Sequence, residues 1–491
     1  MDMNEPYGEK ASRLLGDAYS WVRTDDPAFA KAACDLLGSD SNIFLIGNGG
    51  CGKSTLLKAS WHLLPGSKLV MAATGAAAAN LTADGVPAVT IHKALRIRGQ
   101  DWYDEQRQRP GAVELLAASD IAYLDEAGMV SSNLMDFLLK AWLRGNAKRR
   151  RKGLAPTRLI LSGDVLQLEP VVPSREDVRA QYERVYGGRT GCFDAIHWNE
   201  ARLVRENLTR SFRQDDPAFS ATLDRIRCGR ETDEDIELLN NHVTGHDSFL
   251  QKHPNAIVLR MYRAAVAREN QAYAESFRNE EGHVYLRGQS GKPGAELLAD
   301  IPETIELHTG ESDMCTANHK DGDYQNGTFG TVIGFDDCGD GEPLPVIRTS
   351  GGDTVTVGRA EWKSVRYAID PNGRVAAKTE GALSQIACNV ARAITVHKSQ
   401  GLTLDAAFMD ISGAYAAGMA YIALSRLRSI DGLGLARPIS RRDIIVNQSA
   451  LDYAEGRLAD ERPACATPGP EKPAARTRAK AASGQMLLFS C

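Results

Sequence analysis

"NIFLIGNGGCGKST", Asn42 to Thr55, is a short apolar run, then a glycine-rich turn, then a Gly-Lys-Ser that opens a helix. Leu56, Ser60, Leu63 and Leu64 follow at helical spacing. Gly47, Gly52, Lys53 and Ser54 satisfy the spacing G-x-x-x-x-G-K-S. Glycines let the backbone curl until successive N–H groups and the helix N-terminus face one anion. Gly47, Gly49, Gly50, Cys51, Gly52, Lys53, Ser54 and Thr55 are thus the expected cradle for the phosphates of a nucleotide, with ATP the expected ligand. Lys53 is placed to reach the β- and γ-phosphates, and the Ser54 hydroxyl to ligate Mg2+. Cys51 reads either as a small filler of the turn or as a redox-sensitive thiol. A strand before the cradle and a helix after it predict an α/β P-loop NTPase.

Two further apolar strands complete the expected nucleotide site. "IAYLDEAGMV", Ile121 to Val130, ends in a pair of carboxylates. Asp125 suits Mg2+, which leaves Glu126 to polarise an attacking water, an arrangement for hydrolysis. "RLILSGDVLQLEPV", Arg158 to Val171, carries Gln167 just past its strand, where an amide can bond a γ-phosphate and register its loss. Between the two, Leu134, Phe137, Leu138, Ala141 and Trp142 form one helical face, and Gly145 is the expected stop.

The bulk composition bounds the rest. A chain of 491 residues holds roughly two to four domains. Its 43% hydrophobic and 25% charged residues are ordinary for globular protein, and the net charge of -5 leaves nucleic-acid contact to local patches. No apolar run is long enough to cross a bilayer and no signal peptide is evident, so no membrane partner is expected. The 9 cysteines form no C-x-x-C pair, which favours a reducing, cytoplasmic setting.

Taken in order, these motifs and those that follow resemble superfamily 1 helicases of the RecD/Dda/PIF-like branch. "ATGAAAANL" and "TIHKAL" (Ala73 to Leu95), "LTRSFRQDDPAF" (Leu208 to Phe219), "NGTFGTVIGF" (Asn326 to Phe335), "AITVHKSQGLTLD" (Ala393 to Asp405) and "YIALSRLRS" (Tyr421 to Ser429) carry the resemblance with the blocks already quoted. It implies two RecA-like parallel-sheet motor domains, a small SH3-like β-barrel insert, and ATP hydrolysis coupled to 5′→3′ movement on single-stranded or forked DNA in replication, repair or recombination. It also implies that Arg213 and Arg426 face the γ-phosphate from across the domain cleft, with Gly401 beside the nucleotide. Thr74, Thr90, His92, Lys93, His397, Lys398 and Ser399 become the expected contacts to the DNA backbone. Other readings are a DNA-binding module whose ATP site only gates binding, and a P-loop phosphotransferase.

Some stretches depart from the pattern or read two ways. No glutamine that would read adenine lies upstream of the cradle in Asp25 to Phe44, Arg392 stands where the family often has an aromatic, and "LRMYRAAVARENQ" (Leu259 to Gln271) diverges from its counterpart. "RIRGQDWYDEQRQRPG" (96–111), with Trp102 and Tyr103, is either a duplex-splitting pin or a surface loop. The basic run Arg144 to Gly153 is a solvated loop or a touch on the DNA backbone.

The expected organisation is a first motor domain over 1–201, a second over 202–324 and 378–458, and the insert over 325–377. Beyond it, 459–491 lacks any periodic apolar face and is expected to be a disordered tether. That tether closes on "GQMLLFSC", in which Gln485, Met486, Leu488 and Phe489 are similar to the short peptides by which bacterial proteins bind the sliding clamp; the alternative is a ragged end.

Overall fold

The computed structural model describes residues 6–97, 110–170, 176–214, 216–319, 322–324, 326–337, 342–349 and 351–457. The expected pin with Trp102 and Tyr103, and the tail with Gln485, Met486, Leu488 and Phe489, lie outside the described residues.

The first lobe is built on strands β1 (Ile43–Gly47), β2 (Lys68–Ala72), β3 (Val89–Thr90), β4 (Ile121–Asp125), β5 (Arg158–Gly163) and β6 (Val204–Leu208). They form one parallel sheet in the order β3-β2-β4-β5-β1-β6. β1, β4 and β5 are buried along their whole length, as near-continuous apolar runs must be when helices cover both sheet faces. β1 pairs with β6 from Ile43 opposite Val204 to Gly47 opposite Leu208. The first lobe therefore reaches past the boundary expected at Ala201. Half-exposed, charged "VRENL" gives β6 no apolar run by which to recognise it.

The helix expected to stop at Gly145 continues from Ser132 to Arg151. Gly145 lies at a close helix crossing instead: a Cβ there would stand 3.2 Å from Ala117 N. The basic run is the last turns of this helix, where cations suit the negative end of its dipole. Arg149 is buried and donates to the Ala117 and Ser119 carbonyls and to Asp120, so that residue is structural.

The second lobe begins with the helix Pro217–Arg227, whose Phe219, Leu223 and Ile226 lie in its core, and its sheet opens with β7 (Ile257–Arg260), after which the chain leaves the sheet. It runs through β8 (Gly282–Leu286), β9 (Gly288–Gly291), β10 (Thr304–His308), β11 (Ser312–Cys315), β12 (Phe329–Asp336), β13 (Leu344–Thr349) and β14 (Thr354–Thr356). A long hairpin of β15 (Arg359–Ile369) and β16 (Val375–Ile386) follows, then β17 (Cys388–Val390). These antiparallel strands share one core that includes Tyr285, Leu307, Val332, Ile347, Trp362 and Cys388. The insert thus spans 282–390, wider than the expected 325–377, because its first two strands are short and mostly exposed and form no buried apolar run. The chain returns with β18 (Ala393–Thr395), β19 (Ala407–Met409) and β20 (Leu433–Leu435) to close a parallel sheet in the order β18-β7-β19-β20.

The last described helix, Gln448–Ala454, does not belong to the second lobe to which the sequence assigned it. Ala450, Leu451 and Tyr453 join the first lobe's core. Tyr453 stacks on Phe193 at 4.5 Å, edges against Trp198, and lies under the Arg205 guanidinium. The chain therefore crosses between lobes a second time, which bounds how far they can separate.

Candidate nucleotide cleft and strand-binding edge

The cradle forms where β1 meets the helix Lys53–Leu63. Gly52 caps that helix in the left-handed region, φ 89, and a Cβ there would strike the Phe29 ring at 2.6 Å. Lys53 Nζ donates to the Gly47 and Asn48 carbonyls at 2.9 and 2.8 Å, which holds the ammonium inside the curl. Ser54 is exposed on the cleft wall, and Cys51 is buried beneath the turn.

Asp125 and Glu126 stand at the end of β4, as expected. Asp125 accepts from Ser162 Oγ at 2.6 Å. Glu126 adopts φ 53, a conformation that costs a non-glycine residue roughly 1–3 kcal/mol and is held where the surroundings enforce it. Its carboxyl is pushed up to about 7, first by burial and next by Asp125, against the pull of Lys53. Such a group binds a proton readily, which suits one that takes a proton from water.

Both arginines carried over by resemblance point into this cleft. A side chain at Gly49 would meet Arg213 Nη1 at 2.8 Å and Arg426 Nη2 at 3.2 Å. Arg213 is moored to the second lobe through the Ser425 and Gly401 carbonyls, each at 3.4 Å. Arg426 is 1% exposed and donates to the Ile422 carbonyl and Ser425 Oγ, both at 2.9 Å. Its pKa is lowered to about 9, by burial first and then by the charge of Arg213. Two guanidiniums forced together in a buried place are what an anion between them would relieve.

The cleft holds about 880 Å³ and is lined by the cradle, Glu126, Gln167, Gly401 and the two arginines. Its chemistry fits a magnesium nucleotide: backbone N–H groups and cations for phosphate, and a hydroxyl and a carboxylate for the metal. The outer rim is aromatic. Phe29 meets Phe212 edge-on at 6.1 Å, Arg210 lies over Phe212 at 5.2 Å, and Trp21 is 69% exposed beside them.

Several groups that join the lobes behind the cleft escaped the sequence reading. Gln400 Nε2 donates to Gln167 Oε1 at 2.8 Å, and Gln167 Nε2 donates to Asp164 at 3.1 Å. Arg227, itself half-buried, reaches the buried Asp164 at 2.7 Å in an ion pair. Asn48 donates to Asp224 at 3.2 Å, and the Gly49 N–H donates to Tyr421 Oη at 3.4 Å. Gln400 and Tyr421 sit inside motifs already quoted, so the signal was present. Asp224 and Arg227 lie on the amphipathic helix Pro217–Arg227, where nothing local marks them.

The expected DNA contacts divide. His397 and Lys398 are exposed at the C-terminal edge of the second sheet, and the His397 pKa is lowered by partial burial and by Arg263. Thr74 and His92 are partly exposed on the first lobe. Ser399 does not suit the role: it is fully buried, its hydroxyl donates to the Val396 carbonyl, and its own carbonyl accepts from Arg426. Thr90 is buried and caps the turn Ile91–Ala94 by accepting from Lys93 N. Lys93 Nζ is held by Glu380 of the insert at 3.3 Å. Arg392 stacks over Tyr273 at 5.1 Å, so its cation covers a ring where an aromatic was expected.

The AAA domain family matches residues 27–175. The chain is 29% identical to the ATP-dependent DNA helicase PIF6 of Trypanosoma brucei brucei over 82% of its length, and spans about half (52%) of that relative. It is 29% identical to the ATP-dependent DNA helicase Pif1 of Bdellovibrio bacteriovorus, over 86% of this chain and 90% of that one. Unliganded Pif1 from Bacteroides sp. superposes with a TM-score of 0.73 at 25% identity, covering 88% and 96% of the two chains. The same protein bound to ssDNA superposes with 0.52 at 25% identity, covering 85% and 93%. In motif order, in its two parallel-sheet lobes and in the extent of these matches, the chain is similar to the Pif1 DNA helicases.

Proposed function

We propose that this protein is an ATP-driven motor that moves 5′→3′ along single-stranded DNA and opens forked duplex. One observation carries the reading: Arg213, moored to the second lobe, stands with Arg426 against the phosphate loop of the first. A cleft closed by groups from two lobes changes shape when the charge between them changes, and that change is the source of motion. Lys53 would bind the β- and γ-phosphates, Ser54 and Asp125 would hold Mg2+, and Glu126 would orient and deprotonate water. The metal's contribution is to neutralise phosphate charge. The Gln167–Gln400 bond, 2.8 Å, ties the cleft to a residue three positions past His397. The aromatic rim suits a flat base read by stacking, consistent with the missing adenine-reading glutamine. The relatives named above are ATP-dependent DNA helicases by name, and the Bacteroides protein has been solved with ssDNA. All six described cysteines are free, which fits a reducing cytoplasm.

Strand displacement on duplexes with a 5′ or a 3′ single-stranded tail tests the proposal. Unwinding of the 5′-tailed and forked substrates, dependent on ATP, is expected. ATP-dependent retention on DNA with no displacement of either substrate would instead establish a gated binding module.

The clamp-binding reading of the tail stands on Gln485, Met486, Leu488 and Phe489 and on the polar stretch before them. Tethering would raise the local concentration of the motor at replicating DNA. Deleting 485–491 is expected to abolish capture on immobilised bacterial clamp while ATPase activity is retained; undiminished capture would end this reading.

A further inference from the structure

Tyr262 and Tyr415 are among the most exposed large side chains of the described residues, 59% and 55%. Their rings nonetheless stack on each other, centroids 5.6 Å apart and planes 19° from parallel. The stack leaves more than half of each residue in water, so packing alone does not account for two aromatics placed there. Tyr262 follows β7 and Tyr415 follows β19, neighbouring parallel strands in which Met409 lies opposite Leu259. β18 flanks β7 on the other side, Thr395 opposite Arg260, and runs directly into His397 and Lys398. The tyrosine pair and the expected backbone contacts therefore share one edge of the sheet.

The charge around the pair is positive once internal ion pairs are removed. Asp410 is taken by Arg437, and Glu269 by Arg260 at 2.7 Å. Arg263, Arg268 and Lys398 are exposed and hold no ion pair among the described residues. A cleft of about 530 Å³ beside Tyr262 is lined by Arg260, Met261, Arg268, Asp410 and Arg437. Exposed stacked rings next to unpaired cations match one kind of occupant: a nucleobase on the ring face with its phosphates on the cations. A protein partner would be expected to meet a broader apolar patch.

We propose that Tyr262 and Tyr415 form a stacking step for a base of single-stranded DNA on the second lobe. The step reads no sequence, because every base has a π-face, and so suits a motor that must pass over all of them. The inference rests on the DNA-motor reading above. It also gives the divergent stretch "LRMYRAAVARENQ" a role, since Tyr262 lies within it.

Fluorescence anisotropy with a labelled thymidine oligonucleotide, and with one of equal length carrying consecutive abasic positions, tests the step. The double variant Tyr262→Ala/Tyr415→Ala is expected to bind the normal oligonucleotide about tenfold more weakly than the unaltered protein, and the abasic one equally well. Tyr262→Phe/Tyr415→Phe keeps both rings and is expected to keep full affinity. An alanine variant that binds the normal oligonucleotide undiminished, or that loses as much on abasic as on normal DNA, would overturn the stacking step alone. An unaltered protein that binds neither oligonucleotide would overturn the motor reading and this inference with it.

Discussion

Arg213→Ala is expected to lower DNA-stimulated ATP turnover by about 10³-fold, the scale on which an arginine supplied across a cleft stabilises phosphoryl transfer. The guanidinium stands against Gly49 while donating to the Ser425 and Gly401 carbonyls. Those bonds fix its plane, so a bound γ-phosphate would meet a donor already oriented. Arg213→Lys should recover little, because an ammonium is a point donor and cannot bridge carbonyl and phosphate with one planar fork. The partner residue needs a different experiment. Arg426 is fully buried among backbone carbonyls, so its removal leaves a cavity and unpaired acceptors as well as a missing charge. Steady-state turnover with Arg213→Ala, alongside its thermal midpoint, is therefore the cleaner measurement. Turnover within tenfold of the unaltered protein, with the fold intact, would remove Arg213 from the hydrolytic machinery.

Lys53→Ala and Glu126→Gln are both expected to reduce turnover by roughly 10²–10³-fold, but through different steps. Lys53 sits in the curl of the loop with its ammonium on the Gly47 and Asn48 carbonyls, so its loss weakens nucleotide binding itself. Glu126→Gln keeps the shape and removes a carboxylate that burial and Asp125 already push towards protonation. Nucleotide affinity should then hold or rise, since one negative charge leaves a site built for anions. Titration with a fluorescent nucleotide separates the two variants, and single-stranded DNA binding should survive in both. A Glu126→Gln protein with full turnover would take the water-activating role away from that residue.

How much of this was legible before folding differs from residue to residue. The cradle could be read from Gly47 to Thr55 because its chemistry is local: glycine conformations, a helix start and a lysine at fixed spacing act within a few residues. β1, β4 and β5 were legible for a similar reason, as wholly buried parallel strands must be apolar throughout. β6 and the first strands of the insert were not, since their exposed positions break the apolar run. Arg213 and Arg426 were suggested by motif resemblance, whereas Asp224 and Arg227 belong to no local pattern.

The amino-acid order by itself determined which segments form the expected phosphate cradle, which carboxylates end the central strands, and which blocks resemble a known motor's series of motifs. Only the tertiary structure decided that Ser399 faces inward, that Lys93 is held by Glu380, that Gln167 meets Gln400, and that the helix Gln448–Ala454 returns to the first lobe. The physical reason is range. Propensity and spacing act over a few residues, whereas a contact between residues hundreds of positions apart exists only once the sheets that carry them have packed.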